Sequence, residues 1–202
     1  MGTIMHKIEM AWKAILESRG KCDLQQKTLA TKLGYSTSLV NSALRIPRRT
    51  GAIQVFGRGF RLIDYRKLLL IWAVHRDLEG DVIKRLYVNL AVGRIEGEMI
   101  HEAAFTGCSR YKFLYGGTPS DYGKVYVYVA EEDVDKVERR YADVVRKAPG
   151  GRTPKYNLIL LRWDKTLFAE VTPEHMWVDL FNMEDWWAAD FRKALDERMT
   201  LQ

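Results

Sequence analysis

Apolar residues recur at helical spacing in two neighbouring segments near the start of the chain. The first segment covers residues 24–33, and Gly34 is predicted to end it. Residues 35–38 supply side-chain oxygens suited to capping a second helix. The apolar face of this second helix is predicted to contain Leu39, Val40, Ala43, Leu44 and Ile46. Pro47 is predicted to end it, because proline lacks the amide hydrogen that a helix needs.

Two short runs of β-favouring residues follow the second helix. Residues 52–56 and 60–63 flank the turn Gly57-Arg58-Gly59, which predicts a β-hairpin. Two helices joined by a short turn containing glycine are the outline of a helix-turn-helix. A hairpin directly after such a pair predicts a winged helix-turn-helix.

Apolar spacing also predicts a helix on each side of this motif, at residues 6–19 and 64–76. The second of these is interpreted as a connecting helix. Acidic residues around a glycine then mark a boundary at residues 77–81. We therefore predict two domains, a winged helix-turn-helix at residues 1–76 and an α/β domain at residues 77–202.

The second domain mixes strand and helix patterns. Runs rich in β-branched and aromatic residues predict strands at residues 86–92, 123–130 and 156–163. Apolar residues at helical spacing predict helices at residues 95–105, from residue 106 onwards, and at residues 133–145 and 184–199. The whole chain is therefore predicted to belong to the α+β class.

Basic residues are concentrated in the first domain. Residues 1–76 contain 14 Lys and Arg against 4 Asp and Glu, whereas residues 77–202 contain 18 against 22. The first domain thus has a net charge of +10 and the second of −4. A basic helix-turn-helix is typical of a protein that binds a polyanion, so double-stranded DNA is the expected partner.

Other features narrow the class of protein. No apolar run is as long as a membrane span, and the first residues lack the apolar core of a signal peptide. The two cysteines, Cys22 and Cys108, are far apart and match no metal-binding spacing. They are typical of reduced thiols, so a cytoplasmic protein with no membrane partner is expected.

Ten residues of the first domain are candidates for DNA contact. They are Ser36, Thr37, Ser38, Asn41, Ser42, Arg45, Arg48, Arg49, Arg58 and Arg61. In the major groove, asparagine can recognise adenine and arginine can recognise guanine, so Asn41 faces either a base or water. Ser36 has two equally open roles, as helix cap or as DNA contact. The arginines of the second helix are expected at phosphates, and Arg58 at the hairpin tip is expected in the minor groove or in solvent.

Several segments resemble known families. Residues 26–36 and 48–53 resemble the signature of winged-helix transcriptional regulators, in which a Leu-Ala helix is followed by a glycine that leads into the wing. Segments of the second domain resemble AbiEi-type antitoxins; they are residues 104–109, 125–129, 157–160 and 171–180. The resemblance implies a repressor or antitoxin whose second domain is akin to a degenerate nucleotidyltransferase fold. It also implies a cognate toxin or a second copy of the chain as the protein partner.

The second domain offers little catalytic chemistry in its sequence. A nucleotidyltransferase needs a glycine-serine turn at a helix start and carboxylates on the next strand to hold Mg²⁺. Residues 107–109 echo the turn, but residues 124–128, Lys-Val-Tyr-Val-Tyr, contain no carboxylate. We therefore predict a regulator with no catalytic residue, cofactor or metal. An enzyme of nucleotidyltransferase type with a displaced metal site is the alternative.

Overall fold

The computed structural model describes residues 4–19, 23–57, 59–149 and 155–200. The fold mixes helices and strands, which confirms the predicted α+β class. The chain separates into two compact units, Met1–Arg76 and Asp77–Gln202. Arg58 and Cys22 lie outside the described residues.

The first unit contains helices and a two-stranded hairpin, in the order that the apolar spacing predicts. Its elements are α1 (Ile4–Glu17), α2 (Gln26–Leu33), α3 (Thr37–Thr50), β1 (Ile53–Phe56), β2 (Gly59–Leu62) and α4 (Tyr65–His75). Helices α1, α3 and α4 contact one another, and α2 packs on α3. The strands are antiparallel, with Ile53 opposite Leu62 and Phe56 opposite Gly59.

Buried aromatic side chains hold this unit together. Trp12, Phe60 and Trp72 are almost completely buried, and burial of such a side chain contributes about 1.5–3 kcal/mol. Phe60 exchanges two backbone hydrogen bonds of 2.8 Å with Leu24, which attaches the hairpin to the residues before α2. Gly59 permits this approach, because a Cβ atom there would lie 2.4 Å from the carbonyl oxygen of Leu24.

Helix α3 continues past Pro47, so the prediction that this proline ends the helix is wrong. Proline cannot donate to the carbonyl group four residues earlier, which here belongs to Ala43. The indole Nε1 of Trp12 donates to that carbonyl oxygen at 2.8 Å instead. The buried tryptophan therefore satisfies the acceptor that Pro47 leaves open. The helix ends only at Gly51, which has φ +75°.

A buried carboxylate connects the first and last helices of this unit. Glu9 in α1 accepts a hydrogen bond of 3.0 Å from the indole of Trp72 in α4. The guanidinium of Arg76 lies 3.7 Å from the same oxygen, and both side chains of this ion pair are 3% exposed. Burying a charge is unfavourable unless it is paired. The bonded side chains of Glu9, Trp72 and Arg76 therefore hold α4 against α1 as one set.

The second unit is built on a five-stranded mixed sheet. Its strands are β3 (Val82–Val88), β4 (Ala104–Thr106), β5 (Val125–Val129), β6 (Val145–Arg146) and β7 (Leu158–Arg162). Their order in the sheet is β4-β5-β7-β3-β6, in which only the pair β5 and β7 is parallel. Its helices are α5 (Val92–Gly97), α6 (Gly107–Tyr115), α7 (Val134–Tyr141), α8 (Pro173–Asn182) and α9 (Ala188–Thr200).

Several predicted bounds in this unit are wrong. The strand predicted at residues 86–92 begins at Val82. The prediction missed its start because Lys84 and Arg85 are charged; they lie in the sheet, and their side chains form ion pairs at its surface. The helix predicted at residues 95–105 stops at Gly97. The residues after it turn and form β4, since pairing with β5 satisfies their backbone groups.

The C-terminal part of the chain also differs from its prediction. The last helix begins at Ala188 rather than at residue 184. A separate helix, α8, which the apolar pattern did not predict, begins at Pro173 and is capped by the hydroxyl of Thr172. Proline at the first helical position is favourable, because its missing amide hydrogen would be unpaired there anyway.

One apolar cluster of the second unit lies on a single face of the sheet. Val88, Val127 and Leu160 are completely buried there together with Val137 and Tyr141 of α7. Strand β7 is buried from Leu158 to Leu161, so both faces of this strand are covered. The opposite face is only partly covered, and a cavity remains beside it.

Candidate functional site

Helix α3 presents a continuous exposed row of polar and basic side chains. Thr37, Asn41, Arg45 and Arg48 are all exposed. Asn41, Arg45 and Arg48 lie 4, 8 and 11 positions after Thr37. At 3.6 residues per turn, the four side chains therefore occupy an arc of about 80° around the helix. The opposite face of the helix is buried; it contains Val40, Ala43, Leu44 and Pro47. The hydrophobic face therefore fixes which residues point outward.

The serines at the start of α3 bond to the helix itself. The hydroxyl of Ser36 accepts a hydrogen bond of 3.2 Å from the backbone N–H of Leu39, so it caps the helix. The hydroxyl of Ser42 donates to the carbonyl oxygen of Ser38 at 3.1 Å. All three serines are exposed. The hydroxyl groups of Ser36 and Ser38 can still donate to a phosphate oxygen, whereas the hydrogen of the Ser42 hydroxyl is already donated within the helix.

Two members of the exposed row are joined to each other. A guanidinium nitrogen of Arg48 donates to Oδ1 of Asn41 at 3.3 Å. This contact depends on the extra helical turn after Pro47, because it needs Arg48 to lie two turns beyond Asn41 on the same face. No local sequence signal predicts the contact, since the proline favours a helix that ends before Arg48.

The other arginines differ in their surroundings. Arg45 and Arg49 are exposed and, within the described residues, no carboxylate pairs with them. Arg61 in β2 is instead held by Asp23, with guanidinium nitrogens 2.7 Å from the carboxylate. This ion pair crosses from the hairpin to the residues before α2, so Arg61 is less available to a phosphate than Arg45.

A cavity of about 750 Å³ lies against the partly covered face of the sheet in the second unit. Aromatic rings line it; they belong to Tyr87, Tyr126, Tyr156 and Trp187. Charged side chains of both signs line it too; they belong to Glu79, Arg85, Lys124, Lys155 and Glu184. Its volume lies in the range of small-molecule sites, which combine apolar walls with a few polar groups.

Asp185 holds two of the side chains that line this cavity. Its carboxylate lies 2.6 Å from the ammonium of Lys124 and accepts a hydrogen bond of 3.0 Å from the hydroxyl of Tyr126. Burial and then the negative charge of Asp185 raise the pKa of Tyr126. Sequence reasoning missed this carboxylate, because it comes from the connection between α8 and α9 rather than from the strand itself.

A second polar cluster is buried between β4, β5 and α8. The carboxylate of Asp179 accepts hydrogen bonds from Thr106 at 2.7 Å and from Tyr128 at 2.8 Å. Nε2 of His175 lies 3.2 Å from the Tyr128 hydroxyl. His175 lies in α8 and is 1% exposed. At this depth the cluster ties α8 to the sheet.

The described residues contain neither a candidate metal centre nor a helix that could span a membrane. Within those residues, no group of three or more His, Cys, Asp or Glu side chains could hold a metal ion. None of the described helices is long and apolar enough to cross a bilayer. No protein-family model, curated protein or solved structure matches the chain.

Proposed function

We propose that the chain is a sequence-specific regulator of transcription that binds double-stranded DNA through its first unit. In this proposal the first unit is a winged helix, α3 enters the major groove, and the hairpin is the wing. The observation that carries the proposal is the exposed row on α3, in which two arginines, an asparagine and a threonine share one face. The net charge of +10 on residues 1–76 supports a polyanionic partner.

The roles of the exposed side chains follow from their chemistry. Arg45 and Arg49 bind phosphates and supply affinity, since each is an exposed cation that no described carboxylate neutralises. Asn41 lies in the middle of the row and faces base edges. Arg61 contributes less, because Asp23 competes with DNA for its guanidinium.

The test measures the affinity of the full-length chain for duplex DNA at several salt concentrations. We expect log Kd to change linearly with log salt, with a slope of about 0.9 for each phosphate contacted. Arg45→Ala should remove about one contact and reduce that slope by about 0.9. The matched control is Arg139→Ala on the surface of α7, which should leave both slope and affinity unchanged. Affinity that does not depend on salt would refute the proposal.

The resemblance to AbiEi-type antitoxins supports a narrower proposal, that the chain represses its own promoter and neutralises a cognate toxin. The second unit would then bind the toxin or a second copy of the chain. A reporter placed behind the promoter of the chain's own gene tests repression, and co-expression with the neighbouring gene tests neutralisation. Repression that persists after Arg45→Ala and Arg49→Ala together would exclude α3 as its cause.

A further inference from the structure

The bond between Arg48 and Asn41 limits what the asparagine offers to DNA. A guanidinium carries only donors, so the amide oxygen is the atom that faces it at 3.3 Å. An asparagine that binds adenine in the bidentate manner uses its oxygen for the N6 amino group and its nitrogen for N7. The oxygen keeps a second lone pair, but a donor such as the N6 amino group of adenine that approaches it meets the positive charge of the Arg48 guanidinium. The two amide hydrogens are therefore the groups that Asn41 offers to a base.

We propose that Asn41 and Arg48 act as one donor-only unit that selects guanine at a single base pair. The inference rests on the proposed DNA-binding function and concerns its sequence preference. In the major groove guanine presents two acceptors, N7 and O6. Adenine presents one acceptor and one donor, thymine one acceptor and a methyl group, and cytosine one donor. Only guanine offers an acceptor to each of the two side chains.

The placement of both residues on the helix fits this unit. Arg48 lies two turns after Asn41, about 10 Å along the axis at 1.5 Å per residue. Its side chain reaches back toward the start of the helix, which is the direction in which helical side chains tilt. Both side chains are exposed, and the buried side of α3 keeps them on the outward face. The unit is therefore assembled before DNA arrives.

Arg49 provides a matched control for Arg48. It follows Arg48 directly on α3, has the same charge and is also exposed. Within the described residues it makes no hydrogen bond to Asn41, so its loss should remove a phosphate contact without releasing the amide oxygen. Both arginines are solvent-exposed, and thermal unfolding should show that both alanine variants remain folded.

The experiment is a selection from a random duplex library with the full-length wild type, Arg48→Ala and Arg49→Ala. We expect the motif recovered with the wild type to contain a guanine at one position. The motif recovered with Arg48→Ala should have adenine at that position, because the freed amide oxygen can accept a hydrogen bond from N6. Arg49→Ala should recover the wild-type motif with lower affinity. In direct binding, wild type should prefer the guanine duplex by about 5- to 150-fold, and Arg48→Ala should lose or reverse that preference.

Different outcomes separate the inference from the proposed function. A wild-type motif that Arg48→Ala leaves unchanged would overturn the donor-only unit while leaving the DNA-binding function intact. A duplex with 7-deazaguanine at the selected position lacks the N7 acceptor, so undiminished wild-type binding to it would also overturn the unit. If the wild type enriches no sequence, the proposed function fails and the inference fails with it.

Discussion

Tyr141 in α7 shows how a single buried phenol couples stability to pH. Its hydroxyl donates to the carbonyl oxygen of Ile95 at 2.6 Å. Burial, followed by the negative charge of Glu98, raises the pKa of Tyr141 to about 12 from an ordinary value of 10.0. The unfolded chain therefore releases this proton at lower pH than the native protein does. The stabilising contribution is complete below about pH 10 and is lost as pH rises toward 12.

Replacement of this tyrosine tests the coupling. Tyr141→Phe should lower the free energy of unfolding at pH 7 by about 1–3 kcal/mol, because the carbonyl of Ile95 loses its donor. The difference between wild type and variant should shrink between pH 10 and pH 12. Urea unfolding across this range measures it. A difference that is constant with pH would show that Tyr141 does not titrate in this way.

At the scale of elements, α3 depends on a contact from α1. The helix tolerates Pro47 because the indole of Trp12 occupies the carbonyl oxygen of Ala43. The last turn of α3 carries Arg48 and Arg49, and it is helical because the helix continues through Pro47. A core tryptophan thus helps to determine where basic side chains reach the surface.

A double-mutant cycle tests this dependence. Trp12→Phe should leave the Ala43 carbonyl without a partner and destabilise the protein by at least the 1–3 kcal/mol of a lost buried bond. In the background of Pro47→Ala the same change should cost less, because alanine at position 47 supplies the missing N–H. Chemical denaturation of the four proteins gives the coupling energy. Equal costs of Trp12→Phe in both backgrounds would contradict the explanation.

The pattern of apolar residues predicted the structure correctly where the sequence of an element alone decides which of its residues are buried. Strands β5 and β7 and the order of elements in the first unit follow from local spacing. The pattern failed where a distant partner decides the structure. Pro47 is accommodated by Trp12, β4 forms because β5 is beside it, and the polar residues Lys84 and Arg85 conceal the start of β3.

The features of the candidate site were likewise predictable from sequence only where they depend on local spacing. The exposure of Thr37, Asn41, Arg45 and Arg48 follows from the buried stripe on the other side of α3, which the sequence predicts. The bond from Arg48 to Asn41 was not predictable, because it requires the helix to continue through a proline. Asp185, which holds Lys124 of the cavity wall, was missed because Lys124 lies far away in the sequence.

At the scale of the whole molecule, the two compact units predict two unfolding transitions. Glu9→Ala should lower the first unit's transition alone, by about 3–5 kcal/mol in free energy, because it leaves Arg76 buried without this carboxylate. The control on the same helix is Glu17→Ala, which breaks a more exposed pair with Lys13 and should cost less than about 1 kcal/mol. Calorimetry resolves the transitions, and equal shifts in both would contradict two independent cores.

The bond from Trp12 to the Ala43 carbonyl, which Pro47 leaves without its helical donor, also constrains how the sequence can diverge. A proline at position 47 is tolerable only while position 12 supplies a buried N–H donor to the carbonyl of Ala43. A chain that loses the tryptophan first passes through a destabilised intermediate, whereas one that loses the proline first does not. We therefore expect the order of substitution during evolution to be directional: proline is replaced before tryptophan, and descendants with proline but no donor at position 12 should be rare.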